Sequence, residues 1–241
     1  MHYDKFKKNM YSQNGEDGVL EVIINELGLQ YPNIWVVDCG AYDGISYSNV
    51  RRLIENECSA VMIEPALVGG ICEPKYIELK NLPNKFPKVV TLNHFTTISD
   101  STKSNNGYGS CKYMHDTCEI LNFNPEKKTL DESLDMVKDI PIDYDILNID
   151  IDSYDHDVWK EHTRIPKIVI IEIASGLHPI ITDLSQGYSF ADSIEVGNKK
   201  GYGCVCHTGN MIYVRNDLLN KLSIPKELIN STKLFNTGWI R

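Results

Sequence analysis

The apolar positions of this chain follow two rhythms. "NIWVVD" (33–38), "SAVMIE" (59–64), "KVVTLN" (88–93), "YDILNID" (144–150) and "KIVIIEI" (167–173) are short, β-branched and apolar throughout. That pattern predicts strands buried on both faces, as in a parallel sheet. Between them "SNVRRLIENE" (48–57), "LDESLDMVKD" (130–139) and "SFADSIEVGNKKG" (189–201) read as helices, the last closed by Gly201 as a C-cap. Near the start, Val19, Leu20, Ile23, Ile24 and Leu27 form the buried stripe of a helix beginning at Glu16, with Asn14 as its cap and Asp17 completing a capping-box-like pair. Alternating strands and helices imply right-handed crossovers and an open, doubly wound α/β sheet. The chain finishes differently. "YGCVCHTGNMIYVRND" (202–217) holds two alternating strands about Thr-Gly-Asn, so the mostly parallel sheet should close with an antiparallel hairpin.

Composition narrows the class. With 241 residues, 42% of them hydrophobic, the chain can bury one good core, so a single domain over 1–241 is expected. The polar, weakly periodic stretch 97–128 interrupts it after a strand's carboxyl end; it is expected to be a lid or insertion, a disordered segment being the alternative. A net charge of −9 with no block of Lys or Arg argues against nucleic acid as partner. The apolar runs are too short to span a bilayer, so no membrane association and a cytoplasmic location are expected. Seven scattered cysteines, an odd number, suit a reducing compartment. Cys204, Cys206 and His207 with Cys111, His115 and Cys118 could make a zinc site, but the C-x-C spacing is unlike the usual clips and strand packing accounts for it.

Two segments carry chemistry. In "VVDCGAYDGISYSNV" (36–50) a strand runs into Asp38, a glycine turn spans Gly40 to Gly44, and a helix begins near Ser48 and Asn49, both good cap residues. Gly40 would let backbone approach a ligand, and Asp38 could accept hydrogen bonds from a cationic or hydroxyl-bearing group, as for a nucleotide-like molecule. Neither a P-loop nor G-x-G-x-x-G is present. About twenty residues on, Glu64 stands where nucleotide-binding α/β folds keep an acid for both ribose hydroxyls; the alternative is an ordinary solvated strand-end carboxylate. In "LNIDIDSYDHDVW" (147–159), Asp150, Asp152, Asp155, Asp157 and His156 crowd a strand end. Mutual repulsion could poise one carboxylate as a base, or several could share a cation. An acidic helix N-terminus is the competing account.

Taken in order, "SQNGEDG", "VVDCGAYDGISYSNVRRLIE", "VMIEP", "DYDILNIDIDSYDHDVW" and "KIVIIEI" resemble the FkbM-type S-adenosylmethionine-dependent methyltransferases, over about residues 11–217 with the lid unmatched. The resemblance implies a class I methyltransferase: a Rossmann-like seven-stranded sheet with S-adenosylmethionine as cofactor, and O-methylation of a small molecule or glycan, often at a sugar hydroxyl. The donor-binding residues expected are Gln13, Asp17, Asp38, Gly40, Ala41, Asp43, Ser48, Asn49, Glu64, Pro65 and Asn93. Gln13 and Asp17 should close one side of the donor pocket. Asp150, Asp152, Asp155 and His156 form the expected catalytic cluster, with Asp152 or Asp155 as base and His156 as the competitor. If a divalent cation such as Mg or Mn takes part, Asp150, Asp152 and Glu172 are the expected ligands. Tyr154, Trp159 and His178 could stack on a sugar or simply pack.

The chain departs from the resembled pattern at Val50, at Ser153 and through "IEIASGLHP" (171–179), so a reshaped acceptor pocket is expected. Two other readings stay open. The Asp150-Ile151-Asp152 string matches the metal-diphosphate motif of nucleotide-sugar glycosyltransferases, and the fold could serve as a non-catalytic binding module.

Overall fold

The computed structural model describes residues 2–64, 76–99, 126–151, 154–180 and 187–239. Pro65, Asp152, Ser153, most of the expected 97–128 lid, and Cys111, His115 and Cys118 lie outside the described residues.

One sheet of seven strands organises the chain: β1 (Trp35–Cys39), β2 (Ser59–Ile63), β3 (Val89–Leu92), β6 (Ile146–Ile149), β7 (Ile168–Glu172), β8 (Tyr202–His207) and β9 (Asn210–Arg215), in the order β3-β2-β1-β6-β7-β9-β8. β9 runs antiparallel to both its neighbours, and the pairs from β3 to β7 are parallel. This is the doubly wound, Rossmann-like α/β sheet with a closing hairpin that the apolar runs predict. The hairpin turns at Thr208 and Gly209, where φ is +125°, a value glycine adopts freely. A register shift between Cys204 and Cys206 interrupts the expected simple alternation there.

Six α-helices among the described residues flank the strands: α1 (Glu16–Leu27), α2 (Arg51–Glu55), α3 (Tyr76–Lys85), α4 (Leu130–Asp135), α5 (Asp155–Glu161) and α6 (Phe190–Lys200). α6 opens with a full capping box, Ser189 with Asp192, and closes on left-handed Gly201 as predicted. α1 starts where expected but is not capped by Asn14; Gly15, with φ of +100°, occupies the cap position and no side chain caps it. α3 was not anticipated, because Pro83 near its end and its Lys and Asn content weaken the helical signal. A small parallel pair, β4 (Phe95–Thr97) with β5 (Lys127–Thr129), brings together the two ends of the expected lid.

The core lies on both faces of the sheet, and strands β1, β2 and β6 are buried almost throughout. Trp159 from α5 has no exposed surface and packs edge-on against Tyr202 and at a tilt to Tyr213. It is a core residue rather than a stacking wall. No helix among the described residues is long and apolar enough to cross a membrane.

Candidate functional site

The strand order reverses between β1 and β6, and the carboxyl ends of these strands frame the crevice where open α/β sheets hold ligands. Backbone bonds extend the ladder into the following turn. Gly40 and Ala41 donate to the Ile63 carbonyl at 3.0 and 3.2 Å, and Asp150 donates to Cys39 at 3.0 Å. Gly40 has φ of +86°, and a Cβ there would lie 1.7 Å from the Asp150 carbonyl oxygen. Its missing side chain therefore makes room for the neighbouring strand end. Glu64 follows β2 directly and is nearly buried, and its Oε2 accepts the Tyr42 N–H at 2.8 Å. The carboxylate is thereby folded over the glycine turn.

Other expected donor residues are occupied by the turn itself. Asp43 accepts the N–H groups of Ile45 and Ser46 at 2.8 and 2.6 Å and the Ser46 hydroxyl at 2.7 Å, closing an Asx turn. The Ser48 hydroxyl accepts from Val50 and Arg51 at 3.3 and 3.1 Å and fixes the turn ahead of α2, but the helix starts later than expected: Val50 holds the cap position, with no side-chain cap bond. Asn93, just past β3, is exposed.

Beneath the turn lies an amide relay that sequence reasoning missed. Asn148 on β6 stands opposite Asp38 on β1 in the sheet register. Its Nδ2 donates to Asp38 Oδ1 at 2.7 Å, and its Oδ1 accepts from Asn49 Nδ2 at 3.0 Å. All three side chains are buried. Burial pushes the Asp38 carboxyl up to about 6, and the Asn148 amide opposes that rise. The available signal was a lone polar residue inside the apolar run "ILNI" (146–149).

The "SQNGEDG" stretch is joined to this turn by a parallel bridge between Ser12 and Tyr47. Asp17 Oδ2 accepts three backbone N–H groups, from Met10, Tyr11 and Ser12, each at 2.8 Å. The Ser12 hydroxyl in return accepts the Asp17 N–H at 3.1 Å. Glu16, fully buried, accepts the Asn14 N–H at 2.8 Å and the Thr208 hydroxyl at 2.7 Å. A Cβ at Gly15 would lie 2.5 Å from Lys7 Cβ, and one at Gly18 would lie 2.0 Å from the Phe6 carbonyl. Both glycines therefore seat the N-terminal segment on α1. Asp17 spends one oxygen on its own loop, while Gln13 is exposed at the loop's edge.

The acidic cluster divides. Asp155 opens α5 and accepts the Ile151 N–H at 2.8 Å, fixing the chain just beyond β6. Asp157 faces outward, bonded to Lys160 and to the Tyr188 hydroxyl, each at 2.8 Å. His156 has no exposed surface. Its Nε2 meets the Ser193 hydroxyl at 2.7 Å, that hydroxyl meets Tyr213 at 2.7 Å, and the ring stacks on Tyr188 at 4.3 Å. Burial pushes its pKa down to about 3. The sequence offered it as a competing base, but here it is a neutral ring sealed between α5, α6 and β9. Glu172 ends β7 opposite Asn210. Among the described residues, no three His, Cys, Asp or Glu side chains gather as a metal site. The described residues thus give Asp150 and Glu172 no third ligand, and Asp152, the third one expected, lies outside them.

The altered "IEIASGLHP" segment also has a structural use. Ser175 shares a hydrogen bond with His207 Nε2 at 3.0 Å, and His207 Nδ1 accepts the Asn236 N–H at 3.1 Å. The imidazole therefore carries its proton on Nε2 and donates to Ser175, an arrangement that pins the C-terminal tail rather than activating the serine.

No family model and no curated protein matches the chain. Similar solved structures include a SAM-dependent methyltransferase from Aquifex aeolicus, at 12% identity and TM-score 0.41 over 80% of this chain and 86% of that one. Precorrin-6y C5,15-methyltransferase from Geobacter metallireducens GS-15 aligns at 15% identity and TM-score 0.38 over 86% and 92%. Methyltransferase FkbM from Methylobacillus flagellatus KT aligns at 14% and 0.40 over 88% of this chain but 57% of its own. At such identities and scores the shared outline says nothing about chemistry.

Proposed function

We propose that the chain is an S-adenosylmethionine-dependent O-methyltransferase, with the donor at the carboxyl ends of β1 and β2 and a sugar hydroxyl as acceptor. The observation that carries this reading is Glu64 folded over the glycine turn at the switch point, with Asp38 one strand away. Two acids on adjacent strand ends suit a ligand that presents ribose hydroxyls and a cationic amino-acid portion. The ordered motifs shared with FkbM-type enzymes support the same reading and are the support for a sugar acceptor.

When bound, S-adenosylmethionine supplies a methyl group already activated on a sulfonium. The chain then has to align the acceptor oxygen and exclude water. Glu64 would accept hydrogen bonds from the ribose, and Asp38 would face the methionine portion. Asp155, whose carboxylate accepts the Ile151 N–H just beyond β6, would take the acceptor's proton, with Asp152 as the alternative.

Calorimetry with S-adenosylmethionine tests the donor, and labelled-donor transfer to a panel of glycans tests the acceptor. Glu64→Ala should weaken donor binding by about 1–3 kcal/mol through lost paired hydrogen bonds. Asp155→Asn should leave donor binding intact and lower turnover. Binding of a UDP- or GDP-sugar in place of S-adenosylmethionine would overturn the reading in favour of glycosyl transfer.

A further inference from the structure

We propose that Asn148 is a positioning residue that keeps Asp38 ionised and aimed within the donor site, with Asn49 locking Asn148 from behind; the proposal rests on the donor reading of the strand-end crevice. The direction of the relay follows from chemistry. An ionised carboxylate only accepts, so Asn148 must turn its NH2 toward Asp38, and its carbonyl oxygen then faces the Asn49 NH2. Reversing the Asn148 amide would set oxygen against oxygen at one end and two donors against each other at the other end. Asn49 thus adds to the cost of the one rotation that would break the hold on Asp38. Three segments meet in this relay: the end of β1, the middle of β6 and the loop before α2. The loop is fixed independently, because Ser48 holds the amides of Val50 and Arg51.

The relay has a task because Asp38 is fully buried. A carboxylate removed from water is driven to take up a proton, and burial raises Asp38 while the Asn148 bond alone opposes it. The other titratable groups close to it along the strands are the Cys39 thiol, Glu64, Asp150 and Asp155. None of them enters the balance for Asp38, which is set by burial and Asn148. A neutral Asp38 would offer a proton where a cationic ligand needs an acceptor. Removing Asn148 should therefore act through pH rather than as a uniform loss.

The test uses the full chain labelled with 13C at aspartate Cγ, titrated by NMR without ligand, with Asp38 assigned from the Asp38→Asn spectrum. The Asp38 midpoint should lie near 6 in the wild type. It should rise by about one unit or more in Asn148→Leu, because a hydrogen bond to a charged group is worth about that much. Asn49→Ala keeps the Asp38 contact but unlocks the amide, and should move the midpoint the same way by less. In parallel, S-adenosylmethionine affinity of Asn148→Leu should fall at pH 7 and recover toward wild type at pH 9. An unmoved midpoint in a folded Asn148→Leu overturns the proposal, as does an affinity loss equal at both pH values. If Asn148→Leu does not fold, an unmoved midpoint in Asn49→Ala overturns it instead. A wild type that binds no donor at any pH, with the shift still present, overturns the donor reading and leaves the hold of Asn148 on Asp38 standing.

Discussion

Two glycine-bracketed acidic stretches lie side by side in this molecule, residues 11–18 and 38–50, joined by the bridge from Ser12 to Tyr47. Both bury an aspartate, and the two aspartates live in opposite circumstances. Asp17 collects three backbone N–H groups on its Oδ2, which organise a loop around that oxygen, while its buried Oδ1 has no hydrogen-bond partner among the described residues. Asp38 has a single amide from Asn148 set against complete burial, and its charge is held against its surroundings. An acid of the first kind adds to stability. One of the second kind subtracts from it, the usual mark of a group kept for binding or chemistry rather than for folding.

The largest expected effect tests the first half of that contrast. Asp17→Ala removes a charged acceptor from three amides at once and should cost on the order of 4 kcal/mol. Urea unfolding with an unchanged m-value measures it. A loss under about 1 kcal/mol would mean that water replaces the carboxylate easily and that the stretch is no clamp.

The second prediction has the opposite sign. Asp38 releases its proton near 3.8 when unfolded and near 6 when folded. Between those values the unfolded chain sheds a proton that the folded chain keeps, so stability falls as pH rises through the window. The cost is fully present above about 6 and absent below about 3.8. Asp38→Asn should therefore be more stable than the wild type at pH 8, by up to about 3 kcal/mol, and nearly equal to it at pH 3.5. Stability curves for the two chains across pH check this. A variant less stable than wild type at pH 8 would place Asp38 in the same class as Asp17 and dissolve the contrast.

This contrast was not legible in the sequence, although the frame around it was. Unbroken apolar runs announce doubly buried strands, so the sheet, its closing hairpin and the strand ends bearing Asp38, Glu64 and Asp150 could be placed from periodicity alone. What an acid is bonded to depends on backbone brought from elsewhere. Asp17, Asp38 and Asp43 each read as an aspartate within two residues of a glycine, yet one clamps a loop, one is held by Asn148 and one closes its own Asx turn. Gly18 reads as a poor helix former until the Phe6 carbonyl is found where its side chain would go. His156 sits in an acidic string that looks catalytic, but the helical turn of α5 carries it inward beneath Tyr188.

The smallest effect decides whether the clamp has a second use. Gln13 projects from the loop that Asp17 holds, is exposed, and lies next to the residue that bridges to Tyr47. Its removal leaves no buried group unsatisfied, so Gln13→Ala should change stability by less than about 0.5 kcal/mol. If the loop forms one rim of the donor site, the same variant should weaken S-adenosylmethionine by about 0.5–1 kcal/mol, the worth of one ordinary hydrogen bond. Calorimetry beside the unfolding curve separates the two quantities. Unchanged donor affinity in Gln13→Ala would confine the 11–18 stretch to seating the N-terminal segment on α1. Any donor contact on that side would then have to come from the 38–50 turn itself.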